Sequence, residues 1–414
     1  MENKKEEKKV TEKSGLINII ELIAIIIFII VVLAMFPNTI IWNIVVLLLI
    51  LSVLIFVHEL GHFIMAKKFG VHVYEFAIGM GPVVVSFKRK NDETLYSIRA
   101  FPIGGYNQLA GESYEDDEDM PKNEFMCNKP KWQRVLILIA GVTMNLITAF
   151  ILLFAISFAY GSTDSHSYIG SVLEDSPASD AGLVVGDQIV QVNGYGVSTW
   201  DKIAVVNAMK NESGIYTYVI RHDDGSISSY QLTPAKYVVT SSGDYRITDE
   251  RTEEDIVASY NLSSSDYTVS SLVGLGAPTE VHHGFNNALK YACTKLKSIV
   301  SSMLLIIGSL FTGKISLDAL SGPVGMYTVV DQVAKFGLAN ILYLTAYLSI
   351  NLAVVNLLPF PAFDGGHILF VIIELITRKK TNQKIEGWLN TIGFILIMLL
   401  MVIITFKDIL KLFT

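Results

Sequence analysis

Positive charge and cysteine are both scarce in this chain, and each shortage closes off a class of protein. The 414 residues carry 32 Lys and Arg against 39 Asp and Glu, a formal net of −7. No global positive surplus exists to neutralise phosphates, so nucleic acid is not an expected partner. Two cysteines, Cys127 and Cys293, exclude a disulfide framework and an all-thiolate metal site. Charged residues of both signs make up only 17%, where an average soluble domain holds roughly 25%, so an ordinary cytosolic enzyme is excluded as well. No segment repeats at a fixed period. What the chain has instead is apolar residue, 51% of the total, gathered into long runs.

Five runs approach the roughly 20 residues that cross hydrocarbon: 16–36, 40–66, 135–160, 338–358 and 389–406. The first lacks a small-residue cleavage site and is followed at once by the second, so it reads as a retained helix rather than a signal peptide. Trp132 and Trp388 stand beside Lys/Arg clusters, where amphipathic rings anchor at a membrane interface. Lys and Arg gather in the head (Lys4, Lys5, Lys8, Lys9, Lys13), between the second and third runs, and between the fourth and fifth (Arg378, Lys379, Lys380, Lys384). With five crossings these share one side. That puts the amino terminus in the cytoplasm and the carboxyl terminus outside, with Cys127 and Cys293 on opposite faces. Residues 71–109 alternate short apolar stretches with glycine and read as hairpin strands. Residues 160–290 turn polar, enough for a soluble domain on the outer face.

Chemistry enters in the second run, at His58-Glu59-Leu60-Gly61-His62. Residues four apart share a helix face, so both imidazoles can meet one metal ion, with Glu59 beside its water as general base. An ionisable group at the centre of a crossing costs about 2.5–3.5 kcal/mol on insertion scales, a penalty that an inert role does not explain. Catalytic zinc usually has three protein ligands and an open position. The candidate third is Asp364, in Asn356-Leu357-Leu358-Pro359-Phe360-Pro361-Ala362-Phe363-Asp364-Gly365-Gly366. There two prolines end the fourth helix and the glycines permit tight backbone paths.

With these residues in view, the chain resembles the site-2 protease family of intramembrane zinc metalloproteases. The likeness is especially to the bacterial regulator-of-sigma-E type, which carries a PDZ domain. Further shared pieces are Phe76-Ala77-Ile78-Gly79-Met80-Gly81-Pro82, Pro102-Ile103-Gly104-Gly105-Tyr106 and Ser321-Gly322-Pro323-Val324-Gly325, in the family's order. The resemblance implies one Zn²⁺ per chain on His58, His62 and Asp364, with Glu59 as catalytic base. It also implies that Asn356 and Asn351, with Pro359 and Pro361, position the substrate. Two departures stand out: the first crossing is extra, and Asn107-Gln108 replaces the expected Val-Lys. The implied activity is hydrolysis of peptide bonds within transmembrane segments of single-pass proteins, such as anti-sigma factors or signal-peptide remnants, after another protease has cut them. Residues 71–109 would then offer a strand edge, at 83–87, to the opened substrate.

The outer stretch from Ser176 to Gly194 looks like the core of a bacterial PDZ domain, with Gly182, Leu183, Gly186, Asp187, Asn193 and Gly194 as its marks. Residues 285–310 mix Lys with apolar residues and read as an amphipathic helix along the outer interface. His367, three residues after Asp364, reads as a supporting or packing residue. The expected fold is a polytopic α-helical protein of a bacterial cytoplasmic membrane, with about five transmembrane helices, a membrane-associated β region and an extracytoplasmic PDZ-like α+β domain. Its divisions are a head and first helix (1–39), the HExxH helix (40–66), a re-entrant β region and acidic loop (67–131) and a further helix (132–160). The PDZ-like domain (165–235), an outer linker and amphipathic region (236–335), the Asp364 segment (336–377) and a last helix (388–410) follow. A membrane metal transporter or sensor and a catalytically silent PDZ scaffold are the alternatives; only a protease needs Glu59.

Overall fold

The computed structural model describes residues 40–111, 120–240, 243–248, 251–263, 266–316, 320–379 and 381–411. The run at 16–36 and the acidic cluster at 115–119 lie outside them. Helix α1 (Ile40–Lys68) leads into strands β1 (Val73–Lys88) and β2 (Leu95–Leu109), and α2 (Lys131–Tyr160) follows. Short elements come next: β3 (Ser171–Val172), α3 (Pro177–Asp180), β4 (Gln188–Val192), β5 (Tyr195–Gly196), α4 (Trp200–Asn207), β6 (Tyr216–Arg221) and β7 (Ile227–Leu232). Then come β8 (Ala235–Thr240), β9 (Asp244–Arg246), α5 (Glu253–Tyr260), β10 (Tyr267–Leu272) and β11 (Leu275–Gly276). Helices α6 (Phe285–Phe311), α7 (Pro323–Ala334), α8 (Leu338–Leu357), α9 (Asp364–Thr377) and α10 (Gln383–Leu410) complete the chain. Two compact units result, Met1–Leu152 with Leu320–Thr414, and Leu153–Ala319.

Five described helices are long and apolar enough to cross a membrane: α1, α2, α6, α8 and nearly all of α10. Four of them, α1, α2, α8 and α10, match four of the expected runs to within a residue or contain them. The fifth, α6, is the stretch read as amphipathic, and it forms one continuous helix of 27 residues.

In the first unit, α1, α7 and α8 share a core of Leu47, Val330 and Leu344. Helix α7 belongs here, although its residues fall in the stretch read as an outer linker. Its first turn is capped from far away: Asp408 of α10 accepts from the Gly322 and Gly325 amides at 2.7 and 2.9 Å. A second core joins Ala66, Val71, Val73, Leu109, Ile137 and Val371 from α1, the β region, α2 and α9. Beside it, partly buried Arg134 pairs with buried Glu374 at 2.6 Å.

The β region doubles back on itself, because Gly79 and Gly104, both at positive φ, let each long strand bend. Residues 75–78 consequently lie between 105–108 on one side and 95–98 on the other, while 83–88 pair with 95–99. The two outer edges of this antiparallel ribbon are residues 83–88 and residues 105–109. At its turn, Asp92 is held well below the usual carboxylate range, first by the Lys67 ammonium and then by the Thr94 amide.

In the second unit the antiparallel sheet β5-β4-β6-β7 covers a core of Ile169, Leu183, Ile189, Val192, Tyr218 and Ile220. Burial pushes the Tyr218 phenol up to about 12. Asn193 and Gly194, both at positive φ, make the β4–β5 turn that the sequence implied. Asp187, after Gly186, is buried and pairs with His222 at 2.8 Å. Helix α6 lays Leu305, Ile306 and Leu310 on the same core. Its Lys295 pairs with Asp201 at 2.7 Å. Strand β3 pairs with β11 through Val172 and Leu275. A cavity of about 390 Å³ opens beside them, lined by Val172, Tyr216, Tyr218, Gly274 and Leu275.

Candidate active site

Helical spacing turns His58 and His62 the same way, and the bend after α8 brings Asp364, the first residue of α9, to meet them. The two Nε2 atoms are 3.1 Å apart. Asp364 Oδ2 lies 3.1 Å from His58 Nε2 and 3.4 Å from His62 Nε2. Ligand atoms held by a tetrahedral zinc at about 2.0–2.1 Å sit roughly 3.3 Å from one another, so this triangle has the right edges.

The protons agree with the distances. His62 Nδ1–H donates to the Ile137 carbonyl at 2.8 Å, which leaves the Nε2 lone pair facing Asp364. Asp364 Oδ2 is buried and has no hydrogen-bond partner. Electron-pair donors converging this closely call for a cation among them. Among the described residues these three form the group of His, Cys, Asp or Glu able to hold a metal ion. Glu59 sits between the two histidines in sequence, half-buried, and Asn107 of β2 donates to its Oε2 at 3.1 Å. From α8, the Asn356 amide comes within 3.3 Å of His58 Nε2.

The sequence profile of peptidase family M50 matches residues 46–400. The chain belongs to that family. Zinc metalloprotease RasP of Bacillus licheniformis is 31% identical over 443 aligned positions, covering 88% of this chain and 98% of the relative. Regulator of sigma-W protease RasP of Bacillus subtilis is 31% identical, covering 92% of this chain and all of the relative. Zinc metalloprotease RasP of Shouchella clausii is 32% identical, with 88% and 98% covered. This M50 peptidase is an intramembrane zinc endopeptidase and a multi-pass bacterial membrane protein.

Around the M50 site stand residues that motif reading passed over. Asn145 of α2, fully buried, approaches His58 Nδ1 at 3.2 Å while its own Oδ1 lacks a partner. Turning the amide over places Oδ1 against Nδ1–H and satisfies both, freeing Nε2 for the metal. Gly141, one turn earlier, lies against both imidazoles, and a Cβ there would overlap them. His367 is tied to α10, with Nδ1 2.9 Å from Glu386 and Nε2 3.3 Å from the Asn390 amide. Asn390 in turn accepts from the Ala362 amide at 3.3 Å, steadying the bend that carries Asp364. Of the residues expected to position substrate, Asn356 reaches His58. Asn351 has a buried Oδ1 without a partner. Pro359 is exposed in the bend, and Pro361 packs against Gly393. Residues 83–87 do form an outer edge of the ribbon, as expected; the other outer edge, 105–109, is the one beside Glu59, where Asn107 stands.

Proposed function

We propose that His58, His62 and Asp364 hold the zinc, that Glu59 is the general base, and that Asn356 steadies the scissile carbonyl, with Asn351, Pro359 and Pro361 shaping the approach. The observation that carries this reading is the meeting of two imidazole nitrogens and a carboxylate oxygen within 3.1–3.4 Å, one residue from a glutamate. Bound zinc lowers the pKa of its water and polarises the carbonyl it faces. Glu59 takes the proton from the attacking water and delivers it to the departing amine. In this reading the Asn356 amide donates to the substrate's carbonyl oxygen; its nearness to His58, 3.3 Å, supports that role.

A transmembrane substrate hides its amides in its own helix and must open before attack. Residues 105–109 have no second strand partner among the described residues, so their outer edge can take the opened segment as an added strand. Because a relative bears the name regulator of sigma-W protease, membrane-bound regulators of sigma factors are the substrate class proposed, as single-pass chains already cut by another protease. The second unit is read as PDZ-like and extracytoplasmic, with the amino terminus in the cytoplasm. The cavity beside β11 suits a bound chain end, and the unit's bulk suits exclusion of substrates with large outer parts.

The test compares cells carrying the wild type with cells carrying Glu59→Gln. Truncated single-pass fragments should accumulate only with the variant, whose zinc content stays at one per chain. Equal fragment patterns would overturn the reading.

A further inference from the structure

Asn107 occupies the position where this sequence departs from the residues its resemblance implies, and it is the residue that touches Glu59. Its Nδ2 donates to the Glu59 backbone carbonyl at 2.5 Å and to Glu59 Oε2 at 3.1 Å. A carbonyl can only accept, so the nitrogen rather than the oxygen of the amide must face it. Both amide hydrogens are therefore committed to one residue, which fixes the plane of the side chain. Among the described residues no other hydrogen bond reaches the Glu59 carboxylate.

The carbonyl contact alone would suffice to fasten β2 to α1. The second contact does something different, because it sets the rotation of a carboxylate whose lone pairs must meet a water proton. Asn107 lies in the edge strand at 105–109, paired to Phe76 on its inner side. A segment added along the outer side would meet the backbone on either side of it.

We infer that Asn107 is a positioning residue that ties the orientation of the Glu59 carboxylate to the strand edge receiving the substrate. The inference rests on the reading of Glu59 as base. Asn107→Val removes both donors and keeps a compact side chain. Asn107→Asp keeps the shape and replaces the donors with an acceptor.

The experiment uses the full chain in liposomes with a tagged single-pass protein that the wild type cleaves. Both variants should keep the wild-type zinc content and KM while kcat falls on the order of 10–100-fold. Glu59→Asp withdraws the carboxylate from reach, so adding Asn107→Val to it should cost nothing further. Unchanged kcat in both Asn107 variants, loss of zinc from both, or losses that multiply in the double variant would overturn the inference. Cleavage that survives Glu59→Gln overturns instead the assignment of the base on which it rests.

Discussion

Gly141 has no side chain, and the imidazoles of His58 and His62 fill the space a Cβ would take. Residue 141 therefore sets how closely α2 can approach these two rings, and a single methyl group is enough to disturb them. Gly141→Ala should lower bound zinc and proteolysis together, read by metal analysis of the purified chain; full zinc occupancy would show that the helices part at no cost to the site. Asn145 acts on the same imidazole through Nδ1. Replacing it with Leu leaves that ring nitrogen without an acceptor, and zinc affinity should fall about 10–100-fold in a competition titration with a chelator. An unchanged affinity would mean the His58 ring is held by packing alone. Neither residue could be found from sequence, although His58, Glu59 and His62 could. The histidines announce themselves because four residues make one helical turn and because charge is costly in an apolar run. Asn145 is 87 residues from its partner, and a buried Asn or Gly within a long apolar helix carries no signal of what it faces.

Helix α7 shows the same limit for a whole element. Its first turn is Ser321-Gly322-Pro323-Val324-Gly325, without a Ser, Thr, Asp or Asn in the capping position. The cap comes instead from Asp408, 86 and 83 residues beyond the amides it accepts from. A negative charge is well placed at a helix N-terminus, where unpaired amides point outward. Asp408→Ala should cost about 1–3 kcal/mol, the penalty of leaving the buried Gly322 amide and the partly buried Gly325 amide unsatisfied. It should appear as a lowered midpoint of thermal unfolding in detergent, with the zinc content of the remaining folded chain unaltered. An unshifted midpoint would mean that the contacts of Leu47, Val330 and Leu344 alone hold α7. The β region was legible in part, since alternation and glycine marked two strands. Its doubling back was not, because positive φ at Gly79 and Gly104 permits a bend without naming its partner. That bend decides which edge lies beside Glu59.

At the scale of the molecule, the apolar runs carried the architecture in plain view. They are obvious because the medium around α10 is lipid: Ile392, Phe394, Leu399 and Val402 all face outward. Such an exposed stripe is stable only against hydrocarbon. Helix α6 is harder to read from sequence, as its Lys-bearing pattern serves two masters. One face, through Ser298 and Lys295, binds Asp201, and Leu305 and Leu310 cover the core of its own unit. Leu289, Leu304 and Phe311 remain exposed. Which end of each crossing faces the cytoplasm rests on Lys and Arg, and the two native cysteines offer a direct measure of it. Cys127 precedes α2 and Cys293 follows it, so the proposed topology, in which α2 crosses once, requires them on opposite faces. Cys293 is exposed and Cys127 partly so. With Cys127→Ser and Cys293→Ser as single variants, a membrane-impermeant maleimide added to intact cells should label only the chain that keeps Cys293. The chain that keeps Cys127 should react after permeabilisation. The reverse pattern would invert the whole topology, and labelling of both from outside would mean that α2 does not cross.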